Sequence, residues 1–150
     1  MKERGRRELR DILVPSDGSE ASLEAVAVAC QVAKRSKGKV YVVHVIEVER
    51  ALPLDAEMYP EAQNGEEILS RAEQVAEALD YEVEGELLQA REAGHAIADE
   101  AIERGVDGII LGIPYRRPFG EFQMGKTTQY LLKHAPCEIW IIRQAAPEGV

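Results

Sequence analysis

Val40 to Ile46 reads VYVVHVI. The run is β-branched and almost continuously apolar. A strand with one face in water alternates, whereas such a run suits a parallel strand covered on both faces. Ile12-Leu13-Val14, stopped by Pro15, is a short buried strand and Ile109-Ile110-Leu111 is again continuously apolar, while EIWIIR from Glu138 to Arg143 reads as the last strand, a terminal edge that a partner strand would cover. Tyr81 to Leu88 differs. Tyr81, Val83, Gly85 and Leu87 alternate with Glu82, Glu84 and Glu86, which predicts an edge strand with one solvated face.

Helical spacing fills the gaps between these runs. Leu23, Val26, Ala27, Cys30 and Ala33 share one face of a helix from about Ala21 to Arg35 that ends at Gly38. Asp17 followed by Glu20 has the shape of its N-cap. Ile68, Ala72, Val75 and Leu79 form a second stripe, with Asn64 and Glu67 as a capping box. Glu47 to Gln63, with Pro53 and Pro60, reads as an exposed excursion before it. Ile97, Ala98, Ala101 and Ile102 mark a third helix closed by Gly105, and Gly125 to His134 a fourth, stopped by Pro136. Strands alternating with helices predict an α/β fold: a Rossmann-like, doubly wound, five-stranded parallel sheet with helices on both faces.

The 150 residues match one domain, and an apolar fraction of 45% suffices for one core. Residues 1–10 are read as a basic arm carrying Lys2, Arg4, Arg6, Arg7 and Arg10, and residues 11–150 as a single domain. The net charge of −9 argues against a nucleic-acid binder with a basic face. No apolar run approaches membrane-spanning length, and the N-terminus lacks the apolar stretch of a signal peptide. Cys30 and Cys137 show no metal-ligand or redox spacing, so they read as small packing residues in a reducing cytoplasm.

In an open parallel sheet, ligands bind beyond the carboxyl ends of the strands, where the strand order reverses. Pro15 to Ser19, Val43 to Ile46 and Gly112 to Thr128 lie there. Gly125-Lys126-Thr127-Thr128 brings a bare backbone, a cation and two hydroxyls to a helix N-terminus, which attracts phosphate. GEFQMGKT, Gly120 to Thr127, also fits the spacing G-x-x-x-x-G-K-[ST]. That pattern requires a strand feeding directly into the loop. Here the preceding strand ends near Leu111, and little chain remains for a later magnesium ligand. Asp17 is either a ligand for ribose or a metal, or a turn-and-cap residue. Ser16 and Ser19 lack a partnered His–Asp pattern, so no catalytic residue is assigned. His44 reads as a core histidine, His95 as a helix start and His134 as a residue near a helix C-terminus. No metal site is assigned.

ILVPSDGS (Ile12 to Ser19), VVHVIE (Val42 to Glu47), GVDGIILG (Gly105 to Gly112) and GKTTQYLLKHAPCEIWIIR (Gly125 to Arg143) resemble the universal stress protein family. The likeness runs from Asp11 through Arg143. It implies a five-stranded parallel fold of the adenine nucleotide alpha hydrolase-like kind, a cytoplasmic stress-response role, and a homodimer through the last strand, Glu138 to Arg143. One branch of the family binds ATP through G-x2-G-x9-G-[ST]. Gly112 and Gly125 take the first and third glycine positions. Tyr115 stands at the second, and Lys126 replaces the hydroxyl residue, with Thr127 one place late. The resemblance also implies nucleotide contact at Asp17 and at the backbone of Val45.

The expected nucleotide site, for ATP or AMP, is therefore Pro15, Ser16, Asp17, Val45, Gly112, Arg116, Arg117, Gly125, Lys126, Thr127 and Thr128. Arg116, Arg117 and Lys126 supply cations for phosphate. Tyr115 would bring bulk into the loop, and strain of about 1–3 kcal/mol if its position needs positive φ. Three readings follow: a dimeric nucleotide-binding module, a dimeric interaction protein with an obstructed loop, and a phosphoryl-transfer enzyme.

Overall fold

A computed structural model describes residues 8–118, 120 and 122–148. The elements are β1 (Ile12–Pro15), α1 (Glu20–Ser36), β2 (Val40–Glu47), α2 (Tyr59–Ala78), β3 (Glu84–Ala90), α3 (Ala93–Arg104), β4 (Gly108–Ile113), α4 (Lys126–His134) and β5 (Glu138–Arg143). The strands form one parallel sheet in the order β3-β2-β1-β4-β5.

The continuous apolar runs are explained by burial on both faces. On one side Ile12, Val14, Val40, Val42 and Ile110 pack beneath α1 and α2, against Val26, Cys30, Leu69 and Ala72. On the other, Leu13, Val43, Ile109 and Leu111 pack beneath α3 and α4, against Ile97, Ala101 and Leu131. Successive strand residues thus feed opposite cores. Burial pushes the Cys30 thiol up to about 11, so it packs as a neutral apolar group. No helix among the described residues is long and apolar enough to cross a membrane.

Several local expectations are corrected. α2 begins at Tyr59, so Asn64 lies inside the helix and caps nothing. Pro60 opens this helix, because a proline in the first turn has no intrahelical N–H bond to lose. Ser19, not Asp17, caps α1: its Oγ accepts from the Ser22 N–H. β3 is an edge strand, as its alternation suggests, but starts at Glu84. Glu86 is not a purely solvated residue, because it pairs with Arg104 of α3, whose guanidinium also lies over the Tyr41 ring.

Most of the basic arm lies outside the described residues. Its end belongs to the packed body: Leu9 is buried in the core, and its carbonyl accepts from Ser36 Oγ.

Candidate functional site

The strand order reverses between β1 and β4, and a cavity of about 320 Å³ opens at their carboxyl ends. Its walls are Pro15 to Asp17 after β1, Val43 to Val45 in β2, Leu111 to Pro114 at the end of β4, and Gly125 to Thr128 opening α4. Arg116 and Gln123 line it from the loop between β4 and α4, and Ser22, Ala93 and Ile97 complete it. The expected site residues therefore meet in one place, Arg117 excepted. The Arg117 guanidinium turns back into its own loop, donating to the Gly120 carbonyl from Nη2 at 2.6 Å.

The loop after β1 is fixed by a short chain of hydroxyls. The Gly18 N–H donates to Ser16 Oγ, Ser16 Oγ lies 3.0 Å from Ser22 Oγ, and Ser22 Oγ donates to the Ser19 carbonyl. Ser16 is thereby buried and committed to structure. Nδ1 of His44 lies 2.8 Å from the Ser16 carbonyl. A carbonyl only accepts, so Nδ1 carries the proton. Asp17 Oδ1 accepts from the Ser19 N–H at 2.9 Å. Partial burial pushes the Asp17 carboxyl up, but the hydrogen bonds around it, those of Ser19 foremost, outweigh this and hold it below the usual 3.8. It is an anion at neutral pH.

Three helix N-termini edge the crevice, and their capping differs. α1 has the Ser19 hydroxyl. α3 has no cap from its own N-cap residue Glu92, but Glu47 at the end of β2 reaches over and accepts from the Ala93 N–H at 2.8 Å. α4 begins after Gly125 with no side-chain acceptor and no acidic residue in its first turn. Among the described residues nothing caps its first amides or its positive dipole end, which suit an anion, beside Lys126 and Arg116.

The two pattern glycines differ in role. A Cβ on Gly112 would lie 1.8 Å from the Ala21 carbonyl oxygen, so this glycine lets α1 approach β4. A Cβ on Gly125 would meet nothing within 4 Å, and its φ of −69° suits any residue. Packing and backbone conformation do not explain Gly125.

The expectation for Tyr115 is corrected. It does not line the cavity. Its φ is not positive, so the expected strain is absent. The ring stacks on Phe122 at 5.6 Å between centroids, and the Arg143 guanidinium lies over both rings. The loop is held beside the cavity and does not fill it.

His44, Ser22, Gln123, Ala93 and Ile97 line the cavity and were not foreseen as site residues. For His44 a signal existed: it stands near the carboxyl end of a central strand, the position where parallel sheets bind ligands. His95 and His134 lie elsewhere, both in contact with the Tyr130 ring. Among the described residues no cluster of three metal-ligating side chains forms.

The model of the universal stress protein family matches residues 8–143. A universal stress protein of Methanocaldococcus jannaschii is 26% identical, over 93% of this chain and 85% of that protein. The structure of a universal stress protein from Archaeoglobus fulgidus superposes with a TM-score of 0.76 at 24% identity, covering 89% of this chain and 98% of the other. A structure from the same organism in complex with dAMP superposes with a TM-score of 0.73 at 21% identity, covering 89% and 97%.

Proposed function

Because this chain belongs to the universal stress protein family over residues 8–143, we propose that it binds an adenine nucleotide, ATP or AMP, in the cavity between β1, β2 and β4. The phosphates lie against the first turn of α4, held by its free amides, Lys126, the Thr127 hydroxyl and Arg116. The adenine lies at the Val45 backbone, with Ile97 and Ala93 beside it, and Asp17 accepts from the ribose hydroxyls. Binding and release constitute the activity, and no covalent step is assigned. A relative's complex with dAMP supports the ligand class.

The observation that carries this reading is the contrast in capping. Of the three helix N-termini at the crevice, α4 is the one with no side-chain acceptor among the described residues. Bare amides next to two cations, in a cavity of about 320 Å³, suit a phosphate-bearing ligand. Titration calorimetry with ATP and with AMP tests it. Heat of binding is expected with at least one of them, and Lys126→Ala should weaken it about tenfold, as for the loss of one charge-assisted contact. No heat at millimolar nucleotide overturns the reading.

We further propose a homodimer through β5, acting in the cytoplasm in the stress response. β5 is a sheet edge, and an uncovered edge invites a partner strand. Trp140 and Ile142 reach one core and Ile139 and Ile141 the other, which leaves an apolar rim for a second copy. Light scattering should give twice 16.6 kDa, and a single monomeric species removes this part of the proposal.

A further inference from the structure

Tyr115, Phe122 and Arg143 form a clasp on the outside of the loop that leads into α4. The Tyr115 and Phe122 rings are stacked with an interplanar angle of 12°. The Arg143 guanidinium carbon lies 4.7 Å from one ring centre and 5.5 Å from the other. Arg143 is itself well anchored. It ends β5 in register with Ile113, and the next residue, Gln144, donates its N–H to the Ile113 carbonyl at 2.9 Å. The backbone that carries the guanidinium is thus tied to the root of the loop it clasps.

The residue following each ring faces the ligand cavity. Arg116 and Gln123 both line it, and the Gln123 N–H donates to the Arg116 carbonyl at 3.0 Å. The two loop arms are tied back to back, with the half-buried rings away from the cavity and the exposed Arg116 and Gln123 side chains along its rim. We propose that Arg143 is a positioning residue for phosphate binding, acting through Tyr115 and Phe122 to hold Arg116 and Gln123 at the cavity. This rests on the nucleotide reading above and extends it to three residues outside the cavity wall. A loop already folded in its binding shape loses less conformational freedom when the ligand arrives. Stacked rings and a cation over their faces supply the ordering.

Substitutions separate the clasp from a plain charge effect. Phe122→Ala leaves the charge unchanged, Arg143→Ala removes one, and Phe122→Tyr keeps the ring. Folding of each is verified by circular dichroism. Titration with ATP should show a loss of about three- to tenfold in both alanine variants and recovery in Phe122→Tyr. Binding of adenosine, which has no phosphate, should stay within about twofold, because the loop acts on the phosphate end. Without nucleotide, amide exchange at Arg116 and Gln123 should quicken in both alanine variants. Tyr115→Gly should also weaken ATP binding, whereas an obstructing tyrosine would make the same substitution strengthen it.

Unchanged exchange in the alanine variants overturns the proposal. So does an equal loss for ATP and adenosine, or a loss in Arg143→Ala without one in Phe122→Ala. If the wild type binds no nucleotide, the functional reading fails, and the exchange measurement still decides whether the clasp orders the loop.

Discussion

Gly112 and Gly125 share one spaced glycine pattern, and their surroundings predict opposite consequences for the same substitution. At Gly112 an added methyl collides with the Ala21 carbonyl 1.8 Å away, and backbone cannot yield as a flexible side chain does. Gly112→Ala is expected to lower unfolding stability by about 1–3 kcal/mol or more, through displacement of α1. At Gly125 the methyl enters open space at an ordinary φ. Gly125→Ala should cost no more than about 1 kcal/mol, as for the change of a glycine N-cap, while losing nucleotide affinity, since the added methyl occupies the ground proposed for the phosphate. A stability loss at Gly125 with unchanged binding would refute this assignment. Asp17 carries a pH prediction. Its folded carboxyl titrates below 3.8, so it stabilises the fold above that value and loses the contribution as acidification protonates it. The stability gap between wild type and Asp17→Ala should therefore be largest near neutrality and shrink below about pH 4. A gap independent of pH would mean that the carboxyl acts through shape alone.

Helix ends decide where an anion is welcome, and Glu47 shows how the fold settles this between elements. Its carboxylate satisfies the α3 N-terminus from the end of β2, so α3 is already neutralised. Glu47→Ala should cost about 0.5–2 kcal/mol in chemical denaturation, as a lost cap does, with little change in nucleotide affinity. An unaltered midpoint would show that water replaces the carboxylate at no cost. This cap joins residues far apart in sequence, and that is why it was invisible there. What was legible rests on local periodicity: the continuous runs at β1, β2, β4 and β5, the stripe of α3, and the Gly125 start of α4. Where short signals compete, the reading slipped. Asn64 and Glu67 have the spacing of a capping box, but α2 already begins at Tyr59, with Pro60 in its first turn and Gly65 buried inside it. Asp17 and Ser19 are both good cap residues, and only the backbone path after β1 chooses Ser19. For the site, proximity to strand ends was readable from topology. The orientation of Tyr115 was not, because its ring packs against residues distant in sequence, Phe122 and Arg143.

The sheet couples the site to the whole molecule. The cavity touches β1, β2 and β4, and also α1, α3 and α4, so a ligand there bridges helices packed on both faces. Most of these contacts vanish in the unfolded chain. A ligand that binds only the folded state stabilises it by mass action: at a hundred times Kd the gain is about 2.7 kcal/mol. For a chain of this size about 2–4 °C per kcal/mol applies, so the midpoint should rise by roughly 5–10 °C. Trp140 makes a stricter test available. It is the only tryptophan, and it stands in β5, at the sheet edge away from β2 and half-buried against the core beneath α1 and α2. None of the β5 residues lines the cavity. If the two cores and five strands unfold as one unit, ATP should displace the Trp140 fluorescence transition and the far-ultraviolet dichroism transition together, by the same amount. Trp140 fluorescence that ignores ATP while the dichroism shifts would mean that β5 melts separately. The nucleotide would then stabilise only the half of the sheet that holds it, and the clasp from Arg143 would be the weak link between the two halves.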